Sequence, residues 1–189
     1  MAFEIEIKAR VEDPDKTKVA LSALGKYLCA YHKRDSYWVF PDNRIGKLRI
    51  RDEEKTFPGK EPCHTILVTF KMREMHRETE VNKELEFSVS DSAVFGEILA
   101  HMGLQTEVLK TKHGWAWELG GNESGTPVLA ELSNVGQLGW FLELEILSDT
   151  FDGQGIERNR SSLLALLEKL GIPRDRIETR PYTDLLLRK

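Results

Sequence analysis

Glu4, Glu6 and Lys8 occupy alternate positions in the opening run Phe3-Glu4-Ile5-Glu6-Ile7-Lys8-Ala9-Arg10-Val11. Groups of these types at this spacing can share a polyanion and its metal ions. On a strand, every second side chain points the same way, about 6.5–7 Å from the next. Hard divalent cations take carboxylate oxygens, and phosphate oxygens take Lys and Arg. Taken alone, such a strand reads as a solvated outer face of mixed charge. Repetition changes that reading.

The same alternation recurs further along. Lys47, Arg49 and Arg51 flank Leu48 and Ile50; Thr69 and Lys71 flank Phe70; Glu84 and Glu86 flank Leu85; Glu143 and Glu145 flank Leu144. Lys110 and Lys112 add a less regular case. If all these faces met water, nothing would sort basic groups onto some strands and acidic groups onto others. A closed barrel with the charges inside gives a lumen with a basic side and an acidic side, suited to an anion that carries metal. An apolar ligand carrier needs the opposite lumen.

The elements that position these residues can be read from the punctuation. Asp13-Pro14 starts a helix, with Val19, Ala20, Ala23 and Leu24 at helical spacing up to Gly25. Strands follow at 27–40, 46–53 and 64–73, with a loop at 54–62 and a polar connection at 74–79. A strand at 80–89 runs into Ser90-Asp91, which caps a helix through Val94, Ile98 and Leu99 to Gly103. Further strands lie at 105–118, 127–134 and 139–147, with a hairpin turn at Gly120–Gly125. The last quarter is helical, from Ile156 to Leu170, and a short helix from Tyr182 to Leu187 is expected to pack its leucines on the barrel exterior. Strands this close in sequence pair antiparallel, which makes the chain α+β: an eight-stranded antiparallel barrel with helices at the connections and the C-terminus.

At 189 residues and 40 % hydrophobic content the chain is expected to form one domain, residues 1–189. A net charge of −4 supplies no excess of Lys and Arg for nucleic acid or a membrane surface, so any anion site is local. No apolar run of about 20 residues is present, and the reading is a cytoplasmic protein. Cys29 and Cys63 have no metal-ligand spacing and are read as free thiols; the five histidines also lack such spacing.

The motifs, taken in order, resemble the CYTH-domain superfamily, which includes class IV adenylyl cyclases, thiamine triphosphatases and inorganic tripolyphosphatases and is also called the triphosphate tunnel metalloenzymes. Glu4-Ile5-Glu6-Ile7-Lys8 matches its ExExK, Arg49-Ile50-Arg51 its RxR, Thr69-Phe70-Lys71 its TxK and Glu84-Leu85-Glu86 its acidic strand. Leu138 to Glu145 resembles its LGxFxExE segment, and Pro181 to Leu186 the closing SYxxLL of cyclase-like members. The resemblance implies a tunnel that binds a triphosphate with Mg²⁺ or Mn²⁺. Lys8, Arg49, Arg51, Lys71, Lys110 and Lys112 would bind phosphate oxygens, and Glu4, Glu6, Glu143 and Glu145 would hold metal. Glu84, Glu86 and Glu131 would support them, and Glu4, Glu6 and Lys8 would be the catalytic set.

Two positions depart from the family pattern. Ser133 stands where an Asp is usual, with Glu131 two residues earlier on the same face, and Lys110-Thr111-Lys112 stands where KxR is usual, without the fork of Arg. The resemblance implies a metal-dependent enzyme. The favoured reading is a class IV cyclase turning ATP into cyclic AMP and pyrophosphate. The alternatives are a triphosphatase acting on tripolyphosphate, a nucleoside triphosphate or thiamine triphosphate, and a triphosphate-binding barrel without catalysis. The oligomeric state is left open.

Overall fold

The structure is a computed structural model that describes residues 3–42, 47–120, 125–148 and 152–187. The charge alternation becomes strands β1 (Phe3–Arg10), β2 (Gly25–Val39), β3 (Lys47–Thr56), β4 (Cys63–His76), β5 (Thr79–Ser88), β6 (Gln105–Leu119), β7 (Val128–Val135) and β8 (Trp140–Ser148). They pair antiparallel in the order β1-β5-β4-β3-β2-β6-β7-β8, and β8 pairs back onto β1 to close the barrel. Among the described residues closure leaves no edge strand to template pairing with another chain.

The apolar core lies outside the barrel. Ile5, Ile7 and Ala9, the odd positions of β1, are buried against Ile156, Leu163, Leu164 and Leu167 of α3 (Gly153–Lys169). Leu21 of α1 (Pro14–Leu24) and Trp117 join the same cluster. Burial of each such side chain is worth about 1.5–3 kcal/mol. On the other side, Leu99 of α2 (Ser92–His101) packs on Ile50 and Val68. The helix starts are fixed as the sequence predicts. Asp13 accepts from the Lys16 amide at 3.0 Å, Asp91 from the Ala93 and Val94 amides at 2.8 and 3.0 Å. Gly103 and Gly171 follow α2 and α3 with φ of 89° and 75°, a region costly for other residues.

Several boundaries differ from the sequence reading. β3 runs to Thr56, so Lys55 joins Glu53 on the strand face and the loop begins only after them. The expected connection at 74–79 is instead the end of a hairpin: Glu74 pairs with Val81 and His76 with Thr79, leaving the two-residue turn Arg77-Glu78, in which Arg77 has φ 57°. Arg160 of α3 grips Glu78 and so holds that turn down. Val19, Val94 and Ile98 face outward rather than into the core. Residues 121–124 of the expected turn between β6 and β7 lie outside the described residues. None of the described helices is long and apolar enough to cross a membrane.

The last correction concerns α4 (Tyr182–Leu187). Its leucines do not all lie on the exterior. Tyr182 and Leu185 are buried with Val135 and Phe141, two apolar residues on the inward face of β7 and β8 at one rim. That rim offers an apolar floor where the rest of the lumen is charged, and α4 covers it.

Candidate active site in the barrel lumen

The inward face encloses a cavity of about 690 Å³. All thirteen charged residues singled out from the sequence line it: Glu4, Glu6, Lys8, Arg49, Arg51, Lys71, Glu84, Glu86, Lys110, Lys112, Glu131, Glu143 and Glu145. The strand order sorts them. The neighbouring strands β8, β1 and β5 present Glu143, Glu145, Glu4, Glu6, Glu80, Glu84 and Glu86 as an acidic arc. The neighbouring strands β4, β3, β2 and β6 present Lys71, Arg49, Arg51, Lys33, Lys110 and Lys112 as a basic arc.

Registers explain the acidic arc. Glu6 lies opposite Glu145 and Lys8 opposite Glu143, and on the other side Glu6 lies opposite Glu80. Lys71 reaches across to this cluster, with Nζ 3.2 Å from Glu4, 2.9 Å from Glu84, 3.9 Å from Glu80 and 4.0 Å from Glu6. One ammonium cannot balance so many carboxylates. Burial, then the Glu143 charge, push Glu6 up to about 8 against the opposing pull of Lys71. Burial followed by the charges of Glu4 and Glu6 drive Glu145 well above the carboxylate range, and burial raises Glu4. Uncompensated oxygen donors crowded in this way fit a hard divalent cation. Among the described residues no three acidic, imidazole or thiolate groups already converge on one point as ligands. The four predicted metal-holding glutamates share the cavity, with lysines between them.

Across the lumen the cations are held by carboxylates. Lys112 Nζ bonds Glu131 at 2.9 Å and also Glu143, while Lys33 Nζ lies 2.6 Å from Glu131 and 3.4 Å from Glu53. Burial would raise Glu131 and Glu143, but the lysines around them together outweigh it: Lys112 with Lys110 holds Glu143 down at about 2, and Lys112 with Lys33 holds Glu131 well below its usual value. Arg49 Nη2 donates to Thr69 Oγ1 at 2.9 Å, which donates to Glu86 at 2.7 Å. Arg49 Nε is buried without a partner, a donor left over for a ligand oxygen. Arg51 bonds Asp35 through Nε at 2.8 Å and Nη2 at 3.0 Å, and Lys110 Nζ is 2.9 Å from the same carboxylate.

One mouth is stoppered. Pro181, Tyr182, Thr183 and Asp184 line the cavity there; the Tyr182 ring sits 4.5 Å from Lys8 Nζ and 4.9 Å from Lys110 Nζ, and edge-on to Phe141 at 5.1 Å. Lys8 Nζ donates to the Arg180 carbonyl at 2.7 Å, which ties the C-terminal segment to the first strand. At the opposite rim Lys55 and Glu86 expose 37 % and 38 % of their side chains, so this end opens to solvent.

Sequence reasoning missed Lys33, Asp35, Tyr37, Glu53, Lys55, Glu80 and Tyr182. On β2, Tyr31, Lys33, Asp35 and Tyr37 point inward, but His32, Arg34 and Ser36 between them are also polar, so alternation carries no contrast. Glu53 and Lys55 extend the Arg49, Arg51 row; Glu53 is the last residue of the expected strand, and Lys55 lies beyond its expected end. Ser133, where the resemblance leads one to expect an Asp, is fully buried, with Oγ unpartnered. Glu131 on the same strand faces the lumen in its place.

The CYTH domain family matches residues 2–182, and the chain belongs to it. A protein from Pyrococcus horikoshii OT3 shares the fold with a TM-score of 0.77 at 22 % identity, over 97 % of this chain and 98 % of that one. A provisionally named adenylate cyclase from Vibrio parahaemolyticus gives 0.76 at 19 % identity, over 97 % of each chain. An adenylyl cyclase candidate from Hippeastrum, described by a dominant triphosphatase activity, gives 0.58 at 14 % identity, over 94 % of this chain and 90 % of that one. At these identities the likeness is one of fold. No curated protein matches the chain in sequence.

Proposed function

We propose that this CYTH protein is a divalent-metal-dependent enzyme that hydrolyses the terminal phosphoanhydride of a linear triphosphate, with inorganic tripolyphosphate as the substrate the lumen suits best. The carrying observation is the chemistry of the lining. Nine Lys or Arg side chains and ten carboxylates line the cavity among the described residues, whereas its aliphatic contributions from the strands are Leu67 on β4 and Leu129 on β7, four strands apart on opposite walls. Two separated leucines do not make a slot for a base.

The near balance of charge also argues for metal. A triphosphate brings about four negative charges into a lumen whose cations already have partners, so cations must enter with it. Glu4, Glu6, Glu143 and Glu145 would hold them, Mg²⁺ or Mn²⁺. When bound, such an ion supplies neutralisation of charge on the phosphoryl oxygens. The chain's own residues do the rest. Arg49, Arg51, Lys110 and Lys112 grip the phosphate chain from the basic arc, Lys71 contacts it from the boundary between the arcs, and Lys8 reaches it from within the acidic arc. A carboxylate of the acidic arc takes the proton of the attacking water as the new P–O bond forms and the bridging P–O bond breaks. Phosphoryl transfer of this kind depends on positioning and charge more than on a covalent catalyst.

The cyclase reading is retained as second because the cavity volume lies within the range of sites for larger organic ligands and the closing Pro181-Tyr182 segment lines the lumen. In that reaction the same cations hold the leaving pyrophosphate while the ribose 3′-hydroxyl attacks the α-phosphorus. ³¹P NMR with tripolyphosphate and with ATP, each with Mg²⁺, Mn²⁺ or EDTA, separates the two. Metal-dependent orthophosphate from tripolyphosphate is the expected result. Pyrophosphate with cyclic AMP from ATP would move the protein to the cyclases, and no product from either would leave only binding.

A further inference from the structure

Asp35 is a lumen-side residue that does not reach the lumen. Its side chain is wholly buried, and it is absent from the cavity lining that its two partners, Arg51 and Lys110, both share. Strand order explains this. β2 lies between β3 and β6, and the register sets Asp35 directly opposite Arg51 on one side and Lys110 on the other. One carboxylate thus bonds two cations from different strands: Arg51 through Nε and Nη2 at 2.8 and 3.0 Å, Lys110 at 2.9 Å. Lys110 Nζ is fixed a second time by the Tyr37 hydroxyl at 3.0 Å.

Glu131 makes a useful contrast. It also bonds two lysines, Lys33 and Lys112, but it lines the cavity itself and a phosphate can displace it. Asp35 stands behind the two groups it holds. A ligand meets their front, while the carboxylate keeps its grip from the rear. Two of the five N–H groups of Arg51 are committed to Asp35, leaving three for a ligand.

Resting on the hydrolytic reading above, we propose that Asp35 is a positioning residue: it holds Arg51 and Lys110 as one fixed pair aimed at the same stretch of the phosphate chain, and it moderates the strength of their hold. The position and the moderation have opposite consequences when the charge is removed. In Asp35→Asn, Arg51 keeps at most one bond to the side chain and both cations lose a counter-ion. The pair then attracts an anion more strongly but holds it less well aligned. Affinity rises while turnover falls, a combination that a general weakening of the fold does not produce.

The test is calorimetric titration of wild type and Asp35→Asn with inorganic tripolyphosphate and Mg²⁺, with orthophosphate release normalised to the titrated sites. The expected result is at least threefold tighter binding together with at least tenfold slower turnover per site. Weaker or unchanged affinity, or a loss only in the number of titratable sites, overturns the proposal, as does turnover within twofold of wild type. If Asp35→Asn does not fold, Asp35→Asn/Lys110→Gln restores the charge balance. There, affinity should return to the wild-type value or below while turnover stays at least tenfold low, and full turnover would overturn the proposal. If wild type binds tripolyphosphate but releases no orthophosphate, the hydrolytic reading fails, and the affinity change still decides the role of Asp35.

Discussion

Replacing Glu6 by Gln should stabilise the metal-free protein at pH 8 while removing its response to metal. Glu6 is buried beside Glu143 and Glu80, and its carboxyl rises from 4.5 to about 8. Each tenfold gain in proton affinity is about 1.36 kcal/mol, so a rise of 8 − 4.5, or 3.5, amounts to about 5 kcal/mol as an upper figure. The sign follows from linkage. A carboxylate raised on folding leaves stability intact below pH 4.5, and that stability drains away as pH climbs towards 8. At pH 5 the side chain carries its proton in the fold, and Glu6→Gln should match wild type within about 1 kcal/mol. At pH 8 the variant, which has no proton to lose, should be the more stable by about 2 kcal/mol or more. Lys71 keeps Glu4 and Glu84 as partners in either case. Urea unfolding in EDTA at the two pH values measures this, and repetition with Mg²⁺ should stabilise wild type at pH 8 but not the variant. Tripolyphosphate hydrolysis should be lost. A variant that is less stable than wild type at pH 8 without metal, or that still turns over, would refute the account of the acidic arc.

Three further substitutions test other parts of the molecule. Arg51→Ala should weaken tripolyphosphate binding by about 1.5–3 kcal/mol, the loss of a charge-assisted contact, read by calorimetry; equal thermal stabilisation of wild type and variant by tripolyphosphate would remove Arg51 from the site. Gly114→Ala should cost about 3 kcal/mol or more in urea, because a Cβ there would lie 2.1 Å from the Leu132 carbonyl oxygen and 2.7 Å from the Ser133 Cα, forcing β6 from β7; a neutral effect would mean that this seam is looser than described. Tyr182→Ala should cost about 3–5 kcal/mol by emptying the space beside Phe141, and a loss under 1 kcal/mol would show that α4 does not cover the rim.

How much of this was legible in the sequence depended on contrast. The strands of Glu4, Arg49, Glu84 and Glu143 alternate charge with aliphatic side chains, and both the barrel and the sorting of its two arcs follow from that pattern. Asp35 and Lys33 sit on a strand that is polar on both faces, because the outer side of β2 around Arg34 is also solvated. No periodicity separates inward from outward there. α4 misled for the reverse reason. Its leucines look like any amphipathic stripe, and only the apolar pair Val135 and Phe141, far away in sequence, gives them an inward place to go. Its position follows from a tertiary contact that no local pattern encodes.

Among the described residues the stopper formed by α4 covers one mouth of the lumen, which leaves the rim of Lys55 and Glu86 as its door. Traffic through one door is last in, first out. A linear substrate enters end first, and cleavage leaves one fragment deep and one near the exit. The outer fragment must depart before the inner one can follow. The inner fragment is therefore the last to vacate the empty enzyme and should inhibit competitively against substrate, whereas the outer fragment, which leaves an enzyme still occupied, should not.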